Sequence, residues 1–183
     1  MTNSFFYILR TINSECTFIV AMNSRQPDNF QPSLLINFVV GDVNLYFNDL
    51  DNEHSCEIEV MIAEKDFRRK GLGSESLILL MGYAVEKLGV KKFYSKISET
   101  NHASIALFQQ LQFKQCNYVA AFKEYEYEYI ITAETKESIS QLCLDKYGYK
   151  ELVYDQRITL YNGNYCADPI PKPALDEVSS TST

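Results

Sequence analysis

The chain of 183 residues predicts one α/β (α+β) domain, a mixed, mostly antiparallel sheet with a strand–helix–strand crossover at its centre. Three observations carry this. Three apolar runs (residues 17–22, 35–47 and 57–63) follow one another over polar connections, as in an antiparallel meander. The last run passes into a basic turn with two glycines, a long apolar helix and a strand at residues 92–97, enough chain to return parallel. Further on, Glu124, Glu126 and Glu128 alternate with Tyr125, Tyr127 and Tyr129, the two-residue period of a half-exposed strand with a solvated glutamate row.

Residues 1–14 read as a short lead, whose apolar stretch from Phe5 to Leu9 is too brief for a signal sequence. Residues 17–22 are a buried strand, and residues 35–47 a second one interrupted at Gly41-Asp42 by a turn or bulge. The helix is expected from Ser74, with Leu77, Met81, Ala84 and Leu88 on its core-facing stripe and Gly89 ending it. Asn101 is a good N-cap for a second helix that turns Ile105, Phe108 and Leu111 inward. Residues 113–119 and 122–131 form a hairpin, which closes a core domain at residues 15–131. An unassigned extension (132–166) follows, with a helix over 134–146 and strand signal over 149–161. Residues 167–183, with Pro169, Pro171, Pro173 and a Ser/Thr run, are expected to be disordered.

A hydrophobic content of 46% supports a real core, and a net charge of −7 argues against a general nucleic-acid binder. The five cysteines are never spaced C-x-x-C and there are only two histidines, so no metal site is expected and the thiols read as reduced core residues. No segment reaches the roughly 20 apolar residues of a membrane span. A cytoplasmic protein with nuclear access open is the expectation.

Against that acidic background Lys65, Arg68, Arg69 and Lys70 crowd one turn. Gly71 and Gly73 allow it to bend tightly and bare its N–H groups, and the following helix adds the positive end of its dipole. The combination predicts a phosphorylated cofactor. A Rossmann site would need a glycine where Ser76 stands and an acid near Lys91-Lys92, and a Walker A site would need Lys-Ser/Thr after Gly73. Neither is present. On the preceding strand Glu57 and Glu59 share a face, opposite Ile58, Val60 and Ile62, and two carboxylates so placed push one proton affinity up.

Arg68-Arg69-Lys70-Gly71-Leu72-Gly73 resembles the acetyl-CoA pyrophosphate motif of the GNAT acetyltransferase superfamily. More narrowly, GDVNLYFNDL from Gly41, EIEVMIAE from Glu57, and the later Lys96-Ile97, Asn101, Ser104-Ile105, Phe108-Gln109 and Leu111 resemble the N-acetyltransferase 9-like family. The likeness covers about residues 15–131. It implies a GNAT fold in which the N–H groups from Arg69 through Leu72 and Gly73 to Ser74 cradle a pyrophosphate, helped by the charges of Arg68, Arg69 and Lys70. It also implies that the backbone of Met61, Ile62 and Ala63 pairs with the pantetheine arm, with one amide polarising the thioester carbonyl. Asn101 either holds that arm or only caps its helix. Glu57 stands where some members place the base that accepts the amine's proton, and Glu59 is the second choice.

Two departures accompany the likeness. Only about fourteen residues precede the strand at Thr17, so the opening strand and two helices of the fold are expected to be missing. Position 108 is Phe where many members carry the tyrosine that protonates the departing thiolate, leaving Tyr94 or Tyr118 as a substitute acid, His102 as a candidate proton carrier, or a thiolate that leaves without an acid. The implied activity is acetyl-CoA-dependent N-acetylation of a protein or peptide amine by direct attack, without nucleic acid, membrane or metal and with the oligomeric state open. The alternative is a non-catalytic acyl-CoA-binding or protein-interaction module.

Overall fold

The computed structural model describes residues 4–12, 15–22, 39–49, 52 and 54–147. Seven strands make one sheet: β1 (Ser4–Ile12), β2 (Glu15–Met22), β3 (Val39–Tyr46), β4 (Ser55–Ile62), β5 (Lys92–Ser98), β6 (Lys114–Val119) and β7 (Glu124–Ile130). Their order across the sheet is β1-β2-β3-β4-β5-β7-β6, antiparallel throughout except where β4 meets β5. That parallel joint is made by the predicted crossover, through helix α1 (Leu72–Lys87). Helices α2 (His102–Gln110) and α3 (Ala133–Tyr147) complete the described chain.

Period-2 patterning sorts the sheet into two faces. Phe18, Val43, Leu45, Cys56, Ile58, Phe93, Ile97 and Tyr127 point to one side and are buried. All three helices lie there. A Cβ at Gly73 of α1 would lie within van der Waals reach of Val60 and Ile62, Phe108 of α2 stacks edge-on against Phe113 at 4.9 Å, and Cys143 of α3 reaches the Ile78 carbonyl. Burying a side chain such as Leu77 or Phe93 stabilises the fold by roughly 1.5–3 kcal/mol. The opposite face carries Asp42, Asn44, Tyr46, Glu57, Glu59, Tyr94, Lys96, Glu126 and Glu128.

Several expectations need correction. The opening strand is present: Ser4–Ile12 pairs with β2 from Ser4↔Met22 to Ile12↔Glu15, and only two residues separate them, so no helix lies between. The run Phe5-Phe6-Tyr7-Ile8 has the aromatic and β-branched content of a strand. Gly41-Asp42 does not interrupt β3. The irregularity is a bulge beside it, where Val20 faces Gly41 but Ala21 faces Val39. Helix α1 begins at Leu72 rather than Ser74, because Gly71 takes the left-handed conformation and its carbonyl already accepts from the Glu75 N–H. The helix is also buried beyond its predicted stripe, from Leu77 through Ala84, since α3 covers its outer side. Gly89, at φ 70°, ends it as expected.

The extension therefore starts with a helix that belongs to the core, where Ile139 and Cys143 are buried. Its strand signal over 149–161 and the tail lie outside the described residues, as do residues 23–38, including the start (35–38) of the second predicted strand. Of the described thiols, Cys16, Cys56 and Cys143 are buried and outside any disulfide, whereas Cys116 is exposed at the bulge of edge strand β6. Among the described residues no helix is long and apolar enough to cross a membrane.

Candidate active site

The site is built around a fork in the middle of the sheet. β4 and β5 pair only at Ser55↔Lys92, Cys56↔Phe93 and Glu57↔Tyr94. Beyond that level β4 stays on β3 as far as Gly41↔Ile62, and β5 stays on β7 as far as Ser98↔Glu124. The β5-facing edge of β4 from Ile58 to Ile62 is thus left without a sheet partner among the described residues.

Local chemistry explains the divergence. The Val40 carbonyl accepts from two successive N–H groups, Ala63 at 2.8 Å and Glu64 at 3.2 Å, which draws the end of β4 toward β3. Only glycine fits opposite, because a Cβ on Gly41 would run into the Met61 carbonyl oxygen. Met61 and Ile62, two of the residues expected to pair with the pantetheine arm, lie on the stretch that β5 leaves, and the Ile62 carbonyl there accepts from Arg68 Nε. Ala63 does not fit that expectation. Its N–H is committed to Val40 and its carbonyl to Arg68.

The basic turn follows directly. A single 3-10 turn over Lys65–Phe67 leads to Arg68, whose guanidinium folds back on β4. Its Nε donates to the Ile62 carbonyl at 2.7 Å and its second terminal nitrogen to the Ala63 carbonyl at 3.0 Å. Arg68 therefore fastens the turn to the strand instead of offering all its donors to an anion. Lys70 rests over the Phe67 ring at 5.2 Å. Arg69 (φ 58°) and Gly71 (φ 85°) both take left-handed backbone, and no atom lies within 4 Å of a Cβ built on Gly71. The N–H groups of Leu72, Gly73 and Ser74 are in the first helical turn, where no preceding carbonyl of the helix can accept them. Open space over free donors at a helix N-terminus fits a pyrophosphate.

On the polar face, Glu57 is 8% exposed and accepts from Lys96 Nζ at 2.9 Å, the ion pair linking β4 to β5. Partial desolvation of the otherwise exposed Glu59 side chain, and after it the neighbouring Glu57 carboxylate, push its carboxyl above the ordinary range. Lys96 is pushed up too, first by its hydrogen bond to Glu57. Sequence reasoning matched Lys96 in a string but gave it no role. Its only local signal was the two-residue period that sets it beside Tyr94 on the face of Glu57.

The remaining candidates separate. Asn101 caps α2, its side-chain oxygen accepting from the Ser104 N–H at 3.2 Å. His102 is exposed in the first turn of that helix. Tyr118 lies on the opposite face from Glu57 and donates to Glu99 at 2.6 Å, which holds its proton more tightly. Tyr94 stands directly opposite Glu57, with its proton affinity raised first by burial and then by that carboxylate. Phe108 is core, 2% exposed. Among the described residues no group of three or more His, Cys, Asp or Glu could hold a metal ion.

A fork in a mixed sheet, beside a glycine turn that opens a helix, defines a class. The family model described as "Acetyltransferase (GNAT) domain" matches residues 7–114, and the chain belongs to the GNAT acetyltransferase family. Within it, the chain is 46% identical over 113 residues to "Alpha/beta-tubulin-N-acetyltransferase 9" of Mus musculus, a match covering 60% of this chain and 45% of that protein. It is 43% identical over 111 residues to an "N-acetyltransferase 9-like protein" of Nematostella vectensis, covering 61% of this chain and 55% of the relative. The chain spans about half the length of these curated relatives. Among solved structures, a domain from Methanocaldococcus jannaschii is similar at TM-score 0.51 and 26% identity over 66% of this chain and 70% of that one. A spermidine N-acetyltransferase from Vibrio cholerae, solved with CoA and spermine, shares the fold at TM-score 0.52 and 16% identity, over 64% of this chain and 66% of that one.

Proposed function

We propose that this chain is an acetyl-CoA-dependent N-acetyltransferase that acetylates an amine of a protein or peptide by direct attack. The observation that carries the proposal is the fork: a strand edge from Ile58 to Ile62 that has no sheet partner among the described residues and leads toward the first-turn N–H groups of Leu72, Gly73 and Ser74. A linear cofactor with amides along its arm and a pyrophosphate at one end matches that sequence of sites. When bound, acetyl-CoA supplies a thioester carbonyl for attack and a thiolate leaving group. The backbone of Met61 and Ile62 lines the arm, and a carboxylate of the Glu57–Glu59 pair accepts the proton that frees the amine. Tyr94, facing Glu57, is better placed than Tyr118 to return a proton.

The names of the tubulin acetyltransferase relatives support a protein acceptor, and tubulin is the first to try. A cytoplasmic setting belongs to the same proposal, favoured by buried free thiols such as Cys143, whose proton affinity burial pushes up to about 11. Isothermal titration with acetyl-CoA, followed by transfer to purified tubulin and a peptide panel, tests the reading. Saturable binding that Gly71→Asp and Gly73→Asp abolish is the expected result. Absence of binding to the wild type, or binding indifferent to both substitutions, overturns it.

A second reading, a non-catalytic acyl-CoA-binding module, is favoured by the burial of Phe108 in the core and by the Lys96 ion pair on Glu57. It expects intact acetyl-CoA binding with transfer at background for every amine offered.

A further inference from the structure

We propose that Lys96 is the positioning residue of the fork, committing Glu57 to a cross-strand ion pair so that Glu59 takes the acceptor's proton. The assignment rests on the reading of the fork as an acetyl-transfer site. Glu57 occupies the last level at which β4 and β5 pair, and Lys96 projects from β5 two residues beyond its partner Tyr94. The 2.9 Å contact between Lys96 Nζ and Glu57 Oε2 spans the fork at the level where the ladder ends. The Glu57 carboxylate is largely buried and its Oε2 is already engaged by Lys96, so an incoming ammonium would have to compete with that ion pair.

Glu59 lies next along the same face, past the last paired level, and carries no ion pair among the described residues. The charged and titratable groups around it are Glu57 on its own strand, Asp42 and Tyr46 on β3, Glu15 on β2 and Lys96 on β5. Partial desolvation and the acidic neighbours raise its proton affinity, and Lys96 moderates the rise. The acceptor ammonium gives its first proton to Glu59, which passes it to water. The freed nitrogen then forms the C–N bond as the C–S bond breaks, and the second nitrogen proton ends on the departing thiolate.

The test combines carboxyl 13C NMR titration of glutamate-labelled protein with pH–rate profiles of acetyl transfer. Glu59→Gln is expected to lower kcat on the order of 100-fold while acetyl-CoA binding is unchanged. Removing a cation that lowers the Glu59 midpoint raises it. Lys96→Met should therefore move both the Glu59 carboxyl titration and the acidic limb of kcat/KM to higher pH, and Lys96→Arg should return them. A purely structural lysine would alter the melting temperature without moving the acidic limb of kcat/KM. Wild-type turnover that survives Glu59→Gln, or a Glu59 titration that ignores Lys96→Met, overturns the assignment and leaves the acetyltransferase reading standing. A wild type that binds no acetyl-CoA overturns both.

Discussion

At the scale of single residues, Arg68 shows how a cation in a turn proposed to bind an anion can serve chiefly as a strut. Its planar fork of donors matches the two successive carbonyls of Ile62 and Ala63, a geometry a lysine ammonium cannot reproduce. Arg68→Ala frees the turn from the end of β4 and is expected to weaken acetyl-CoA binding roughly tenfold, about the worth of one charge-assisted hydrogen bond. Arg68→Lys should recover little of that loss in isothermal titration, because the bidentate contact is what holds the turn. Full recovery by lysine would mean that charge alone matters there.

At the scale of elements, α2 is defined by the ring of Phe108. The ring is enclosed beside Phe113, which in turn packs on Tyr129 at 5.2 Å, so α2 is seated on β7 through aromatic contacts. Phe108→Tyr should bury a hydroxyl there at a cost of roughly 1–3 kcal/mol, lowering the melting temperature without raising kcat. A gain in kcat would show that position 108 reaches the thiolate after all. The strand Glu57–Ile62, the two-glycine turn and α1 were legible in the sequence because each is written in adjacent residues: an apolar run, positive-φ glycine, a 3.6-residue stripe. The fork was not, since it arises from the Val40 carbonyl capturing the amides of Ala63 and Glu64 across a bulge. The Glu57–Lys96 pair joins residues 39 apart, and no local pattern specifies it. Strand β1 was missed for another reason: its apolar run was weighed only as a possible leader.

At the scale of the molecule, the sheet is two antiparallel halves, β1–β4 and β5–β7, each assembled from neighbouring strands. Three residue pairs join them at the base of the fork, and α1 lies across the sheet over β4 and β3. Closing that joint brings Ser55 to Lys92 across the whole crossover, so loop-closure entropy opposes it more than it opposes any hairpin. The halves should therefore form first and dock later. Native-state hydrogen exchange is expected to resolve them as two cooperative units, with amides such as Val43 and Leu45 in one and Ile97 and Tyr127 in the other. A single unit would refute the division. The same seam gives the fork a mechanical character: within the sheet the halves meet only at the three-pair joint, the rest of their contact being helix packing such as α1 against α3. A ligand lying between them would act as a wedge and a rivet at once, and acetyl-CoA should merge the two exchange units into one.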